Sequence, residues 1–239
     1  MLDRIYLYVS GNEMLEKVIQ DNKEIIKKAV GLGIPVALER ITMSSGQVFM
    51  TKMVSGLGTV ALAANHVAVT AEGISYMPAT GISFAATTLV GQSLGAKNKE
   101  DARSYGKLSG WTGFALSAFM GLLLFVFSLP LSSIFSSDQE VIQLSAKMLR
   151  IVAFSEPMFG VSIVLSGALR GAGDTRYPFY IGLLCMIGLR CVLAPIFIFV
   201  LHMGLEAVWI AMVIDLCVRG ALCILRFASA KWLRYSERI

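Results

Sequence analysis

Two long stretches of this sequence carry no charged residue, and they constrain the fold more than any other feature. The first runs from Gly73 to Ala96, and the second covers residues 108–137. Each exceeds the ~20 residues that a helix needs to cross the hydrocarbon core of a bilayer. The whole chain is 56% hydrophobic and only 15% charged, whereas soluble domains are roughly 25% charged. The sequence therefore predicts an integral membrane protein.

The spanning segments are predicted to be α-helices, because lipid leaves unpaired backbone groups without partners and the segments are too long for barrel strands. The second helix is longer than one membrane thickness and could instead form two spans joined at MPATG. A single helix bent at Pro78 is favoured, because a hairpin there would leave turn amides unpaired in hydrocarbon. The prediction is an all-α fold with six transmembrane helices, over residues 34–54, 59–94, 107–129, 140–169, 178–201 and 205–229.

Helix boundaries and tails divide the chain into three predicted parts. Gly171 and Gly173 can end the fourth helix, and Asp174 or Thr175 can cap the fifth. The parts are a cytoplasmic tail with an amphipathic connector on the membrane surface (1–33), a six-helix transmembrane lobe (34–229) and a second cytoplasmic tail (230–239).

The distribution of Lys and Arg predicts the orientation of the lobe. With six spans, fifteen of the 21 Lys and Arg lie on the side of the membrane that holds the two termini, in the tails, in the 97–107 loop or near helix ends. Lys52, Lys147 and Arg150 lie on the opposite side. Because cations accumulate on the cytoplasmic side, both termini are expected in the cytoplasm, with the lobe in an inner or plasma membrane. The segment 97–107 is then a basic cytoplasmic loop. These cations flank apolar spans, so the lipid bilayer is the expected partner and nucleic acid is not.

Several stretches of the sequence resemble one transporter family. They are GIPVALERITMSSGQVFM, AEGISYMPATGISFAATTL, VGQSLGAKNKEDARSYG and VLSGALRGAGDTRYPF, and the resemblance runs from about Lys23 to Lys231. Together they resemble the second half of a multidrug and toxic compound extrusion (MATE) transporter. The resemblance implies one of two helical lobes that face each other across a central cavity. It also places Met1 in the loop joining the lobes, so the expected partner is a first-lobe half or a second copy of this chain.

Ionisable side chains inside predicted spans are the candidates for function, because each costs at least ~2.5 kcal/mol to insert and such residues usually mark ion or substrate routes. Asp215 and Arg219 are four residues apart on one helix, so they can neutralise each other. The candidates are Glu39, Arg40, Glu72, Glu156, Arg190, Asp215 and Arg219.

Glu72 is the most isolated of these acids. No charged residue occurs from Val67 to Ala71 or from Gly73 to Ala96. A lone carboxyl group in a low-dielectric medium can take up and release a proton near neutral pH. Glu72 is therefore a candidate H⁺ carrier or an anchor for a cationic drug, and the family resemblance includes this acid. The alternative is a protonated Glu72 that hydrogen-bonds a neighbouring helix.

Glu39 and Arg40 are adjacent, so their side chains point about 100° apart on a helix and cannot easily pair with each other alone. By the resemblance, Glu39 lies near a membrane-inserted acid of the family, about one turn from the position that Met43 occupies here. Glu39 is either a coupling or substrate residue, or one member of an ion pair at the cavity mouth with Arg40 or a neighbouring helix.

Glu156 precedes Pro157 in the middle of the fourth predicted span, where proline removes a helical hydrogen bond and opens a kink. Freed carbonyl groups beside a carboxylate can hold a monovalent cation. Arg190 is a possible counter-charge for any of the acids, or it extends toward the membrane surface.

Uncharged residues of the first predicted span complete the candidate set. Gln47 and Met43 suit a cavity for varied amphiphiles, because Met side chains adapt their shape, although residues at this spacing also serve helix packing. Gly106, Gly110 and Gly113 follow a small-residue spacing that fits close helix contact.

No enzyme signature is present in the sequence. The GAG in SGALRGAGDT lacks the preceding strand and the full glycine pattern of a dinucleotide-binding fold. The sequence also contains no GxxxxGK[ST] motif, which would bind ATP. His66 and His202 lack metal-site spacing, and the four Cys lack CxxC spacing. No cofactor and no metal is expected, and the coupling ion would be H⁺ or Na⁺.

The function implied by the resemblance is secondary active efflux of drugs or organic cations by H⁺ or Na⁺ antiport, with an amphiphilic or cationic small molecule as the substrate. Two alternatives remain open. A related flippase for lipid-linked oligosaccharides would need several arginines around its cavity for pyrophosphate, and only Arg190 is a ready candidate. The other alternative is a truncated lobe that inserts into the membrane but transports nothing.

Overall fold

The computed structural model describes residues 23–233, and every regular element in that range is helical. The predicted all-α fold class is confirmed. The elements are α1 (Lys23–Ser55), α2 (Thr59–Gly95), α3 (Lys99–Val126), α4 (Ser128–Phe135), α5 (Gln139–Ala153), α6 (Glu156–Gly171), α7 (Arg176–Leu183), a π-helical segment (Leu184–Arg190), α8 (Cys191–Phe199) and α9 (Leu205–Ala228).

The α1 helix begins at the first described residue and continues through Pro35 to Ser55 without a break. Most of the amphipathic connector predicted before it lies outside the described residues, so the boundaries of the two tails stay predictions. The α2 helix is one continuous helix of 37 residues with Pro78 inside it. The favoured single helix is therefore confirmed, and no hairpin forms at MPATG.

The α3 helix begins earlier than the sequence predicted. Asn98 caps it by accepting a hydrogen bond from the backbone N–H of Asp101 at 3.1 Å. Glu100 and Asp101 lie in the first turn, where negative charge is favourable next to the positive end of the helix dipole. The loop predicted over 97–107 was wrong over most of its length, because these caps extend the helix back to Lys99.

The fourth predicted span is broken into α5 and α6, which are bent by 60° relative to each other. The break falls at Phe154 and Ser155, and Pro157 occupies the first turn of α6. Proline fits a first turn because its missing N–H has no helical partner there. The kink predicted beside Glu156 is confirmed, and its position makes Glu156 the first residue of α6.

The fifth predicted span consists of α7, the π-helical segment and α8. Gly173 follows the end of α6 with φ of 81°, a conformation that glycine adopts without strain. Thr175 precedes α7, but its side chain makes no capping hydrogen bond. Asp174 instead accepts a hydrogen bond from Nε of Arg226 in α9 at 2.8 Å. It therefore connects the turn between α6 and α7 to α9.

Length and apolar composition identify fewer spans than the six predicted. Within residues 23–233, α3, the stretch Arg176–Phe199 and α9 qualify as membrane spans, and the bent pair of α5 and α6 would make a fourth. The α1 and α2 helices have 33 and 37 residues, enough to cross, but they contain many polar side chains. The count of six is therefore not exact, although the membrane class stands.

Small residues allow α3 to pack closely against α6 and α9. A Cβ atom on Gly113 would lie 2.7 Å from Val164, and one on Gly110 would lie 3.1 Å from Leu165. A Cβ atom on Gly106 would lie even closer to the ring of Phe227 in α9. The predicted close contact at these glycines is confirmed.

Candidate binding cavity

A cavity of about 480 Å³ opens among α1, α2, α6, the π-helical segment and α9. Its size is within the range of small-molecule sites. Five elements that are far apart in sequence supply its wall, and many of the side chains are charged or able to hydrogen-bond. These polar residues are Glu39, Arg40, Gln47, Glu72, Tyr76, Thr80, Ser83, Ser162, Ser166, Arg170, Arg190 and Arg219.

Five of the six site residues predicted from the sequence line this one cavity. They are Glu39, Met43, Gln47, Glu72 and Arg190, whereas Glu156 lies outside its wall. The helical spacing explains part of this convergence, because Glu39, Met43 and Gln47 are four residues apart and share one face of α1. Their role in binding stays a prediction.

Glu39 is engaged by Arg170 from the end of α6. One guanidinium nitrogen, Nη2, donates to both carboxylate oxygens of Glu39 at 2.8 Å. Both side chains are partly buried at the cavity wall. The sequence left Glu39 as either a coupling or substrate residue or a member of an ion pair, and this contact is an ion pair with a neighbouring helix. Arg40 is exposed.

Asp215 lies between two arginines. It is fully buried, and Nη2 of Arg219 donates to its two oxygens at 2.7 and 3.0 Å. The predicted pairing of Asp215 with Arg219 is confirmed. Nη1 of Arg190 lies 4.0 Å from the same carboxylate, so Arg190 has Asp215 as its nearest counter-charge but at a longer distance.

Arg190 occupies the last position of the π-helical segment, a kind of irregularity often found at functional sites. Its side chain is 10% exposed, which excludes the extended position at the membrane surface. Nη2 donates to the thioether sulfur of Met212 at 2.9 Å. Its Nε has no partner among the described residues.

Glu72 projects from the middle of α2 into the cavity. It is only 3% exposed, and Oε1 finds no hydrogen-bond partner within the part of the chain that the structure describes. Two charges act on it: the carboxylate of Glu156 repels it and the guanidinium of Arg190 attracts it. The alternative of a hydrogen bond through Oε1 to a neighbouring helix is not formed by the described residues.

Glu156 is completely buried at the start of α6, and neither carboxylate oxygen has a hydrogen-bond partner in residues 23–233. Its Cβ packs against Gly121 of α3, where an added Cβ atom would lie 3.0 Å away. Glu156 is thus behind the cavity wall rather than on it, yet within electrostatic range of Glu72.

The apolar wall of the cavity is formed by rings and thioethers. Tyr76 and Phe159 meet edge to face with ring centroids 5.4 Å apart. Met43, Met186 and Met212 also line it. Adaptable thioethers beside aromatic rings suit an amphiphilic ligand.

The sequence interpretation did not anticipate that several arginines share this cavity. For a pyrophosphate site it named Arg190 as the only ready candidate, but Arg40, Arg170, Arg190 and Arg219 all line the wall. Arg219 was expected only as the local partner of Asp215, and Arg170 was not among the candidates. Side chains as long as arginine reach far from their backbone, so sequence position alone did not place them.

Comparison with known proteins identifies the family. The MatE family model matches residues 35–196, more than half of the chain. The chain belongs to the MatE family. A relative in this family, the probable multidrug resistance protein NorM of Thermotoga maritima, is 32% identical over 207 residues, which are 86% of this chain and 44% of that protein.

Solved MatE structures share the fold. A MATE protein in the straight conformation superposes with a TM-score of 0.82 at 19% identity, over 90% of this chain and 48% of its own length. A MOP superfamily transporter from Pyrococcus furiosus, described by the reverse polarity of its binding pocket, gives a TM-score of 0.71 at 25% identity, over 87% of this chain and 45% of that one. The chain therefore spans about half the length of the MatE proteins that it matches, and it is a membrane protein like them.

Proposed function

We propose that this chain forms the second lobe of a multidrug efflux transporter, which exports drugs or organic cations in exchange for H⁺ or Na⁺ without altering them chemically. The lobe would lie in the inner or plasma membrane with both termini in the cytoplasm. A first-lobe half or a second copy of the chain would close the cavity from the opposite side.

One observation carries this proposal: a buried carboxyl group, Glu72, faces the cavity with an oxygen that has no hydrogen-bond partner among the described residues. A carboxylate in such a site can hold either a small cation or the charged group of an organic cation, but not both at once. Competition for one carboxylate is sufficient to couple the two movements.

Glu72 is a stronger candidate than Glu39 for this exchange. Arg170 occupies both oxygens of Glu39 at 2.8 Å, so a cation would have to displace a guanidinium there. Glu156 can assist from behind the wall, since its repulsion makes the binding of a cation at Glu72 more favourable. The lobe would then alternate between faces of the membrane as the occupant of Glu72 changes.

The proposal is tested by transport in proteoliposomes that contain the full 239-residue chain, alone and with the first lobe of the Thermotoga maritima relative. Uptake of ethidium is followed by fluorescence under an imposed pH gradient, and then under a Na⁺ gradient. We expect gradient-driven uptake in at least one of these arrangements, and at least about tenfold less with Glu72→Gln, since its neutral amide cannot exchange a cation.

The matched control is Glu100→Gln, which makes the same change at an exposed position in the first turn of α3. Its uptake should equal that of the unaltered chain. Full ion-driven uptake by Glu72→Gln would contradict the proposed coupling, and an absence of uptake in every arrangement would favour a lobe that transports nothing.

A flippase for lipid-linked oligosaccharides is the second candidate, favoured by the four arginines on the wall. Two of them are already paired with acids, Arg170 with Glu39 and Arg219 with Asp215. Proteoliposomes that translocate a fluorescent lipid pyrophosphate, but not ethidium, would favour this candidate over antiport.

A further inference from the structure

Two arginines share a single buried carboxylate in the cavity wall. Arg219 holds Asp215 through close hydrogen bonds, whereas Arg190 approaches it only to 4.0 Å. Two guanidinium groups and one carboxylate leave this group of three residues with one excess positive charge. Such an excess is costly inside a protein unless an anion is close by.

Each arginine also directs one nitrogen at a thioether sulfur. Nη2 of Arg190 donates to the Sδ of Met212 at 2.9 Å, and Nη1 of Arg219 donates to the Sδ of Met43 at 3.5 Å. A thioether is a weak acceptor, and an ionised guanidinium bonds an oxyanion far more strongly. Nε of Arg190 has no acceptor at all within residues 23–233.

No acid of the described chain completes this arrangement. Glu39 is held by Arg170, and Glu72 attracts Arg190 electrostatically without forming an ion pair within 4.0 Å among the residues that the structure describes. Arg190 and Arg219 both line the cavity. An anion there can therefore replace the thioether sulfurs that two of their guanidinium nitrogens now meet, whereas Nε of Arg190 is itself buried.

We propose that Arg190 and Arg219 form an oxyanion subsite, which binds a carboxylate or phosphate group of an amphiphilic ligand while Met43 and Met212 contact its apolar part. This rests on the proposed function in one respect only, namely that the cavity is the substrate site. An acidic group at Arg190 and a cation at Glu72 can then occupy the same cavity together.

The test is equilibrium binding to the full chain in phosphatidylcholine nanodiscs, with no ion gradient. The probes are dansylamino-undecanoate, its uncharged methyl ester and the corresponding dansyl-labelled amine, each followed by dansyl fluorescence. We expect the carboxylate to bind at least about tenfold more tightly than the ester, a ratio that one charge-assisted hydrogen bond can supply. Equal affinities for the carboxylate and the ester would overturn the subsite, whereas the amine reports on cation binding at Glu72.

Variants show which residues are responsible for the preference for the carboxylate over the ester. Arg190→Gln should abolish it, and Arg190→Lys should retain part of it because the charge remains. Arg103→Gln, the same change on the exposed surface of α3, should have no effect. A preference that survives Arg190→Gln contradicts the assignment, and the probe comparison on the unaltered chain stands even if that variant does not fold.

Two sources could supply the acidic group, a lipid headgroup or a soluble amphiphile. Nanodiscs containing phosphatidylglycerol distinguish them, because a lipid occupant would compete with the probe in the unaltered chain but not in Arg190→Gln. Competition by phosphatidylglycerol would assign a lipid headgroup, and no competition would assign a soluble amphiphile. Both results support the subsite. A chain that binds the carboxylate but drives no ethidium uptake would refute the proposed function alone, whereas uptake without the carboxylate preference would refute the subsite alone.

Discussion

The contact between α2 and α6 and the cavity beside it are stabilised by opposite means. Along the contact, Thr87 donates from Oγ1 to the carbonyl oxygen of Gly167 at 2.9 Å, and Ser83 donates from Oγ to that of Ile163 at 2.9 Å. No charged side chain takes part in these two bonds. In the cavity, by contrast, Asp215 and its two arginines hold α9 and the π-helical segment together by charge.

This difference follows from the solvent in which the helices pack. Lipid tails are as apolar as leucine, so helices gain little by hiding apolar side chains from them and must rely on close backbone approach. Glycine permits that approach. Charged groups are tolerated only where other charges or an open cavity compensate them. The first region is therefore sensitive to added volume, and the second to a change in charge.

The largest effect is expected at the buried carboxylate of the cavity. Asp215→Asn leaves Arg190 and Arg219 without their shared counter-charge, and breaking a buried ion pair in this way costs about 3–5 kcal/mol of unfolding free energy. Thermal unfolding in detergent should show a large decrease in the midpoint. The control Asp138→Asn changes an exposed residue that caps α5, and asparagine caps a helix about as well. Similar midpoints for the two variants would contradict the role of Asp215.

A smaller effect is expected from added volume at the helix contact. A Cβ atom on Gly167 would lie 2.5 Å from the backbone oxygen of Ser83, so Gly167→Ala should separate α2 from α6 and cost about 1–3 kcal/mol. Gly81→Ala on α2 is the matched control, because nothing lies within 4 Å of its added Cβ atom. That control should be neutral or stabilise by up to ~1 kcal/mol through helix propensity. If Gly167→Ala left the unfolding free energy unchanged, the contact would tolerate the added volume.

The smallest effect is expected where charge and partial exposure combine, at Glu39 and Arg170. Their side chains are 15% and 27% exposed, so a double-mutant cycle with Glu39→Gln and Arg170→Gln should give a coupling energy of about 1 kcal/mol, near the upper end for such pairs. The pair of Lys147 with Glu206 is the comparison. Its lysine side chain is 61% exposed, and its coupling should be weaker and lost in high salt. A stronger coupling at Lys147 would reverse this order.

Part of the candidate site was predictable because it depends on local spacing. The pairing of Asp215 with Arg219 follows from a separation of four residues on one helix. Glu39, Met43 and Gln47 share a face of α1 for the same reason. The isolation of Glu72 could be seen from the uncharged residues on both sides of it. These features require only that the segments be helical.

Contacts between helices distant in sequence were not predictable. Arg170 reaches Glu39 across a separation of 131 residues, and nothing near either residue indicates the other. The same holds for Arg190, whose direction depends on the π-helical turn before it. The early start of α3 was missed for a different reason, since its capping residues were interpreted as part of a charged loop.

The sequence by itself determined that this chain is helical and belongs in a membrane. It also determined that a helix breaks next to Pro157, and which acids are surrounded by apolar residues in the sequence. Only the tertiary structure decided which of those acids face a common cavity, that arginines line it, and that Arg190 shares Asp215 with Arg219. The physical reason is that backbone hydrogen bonding and solvent transfer act on each segment alone. The meeting of long charged side chains depends instead on how helices cross, which no single segment encodes.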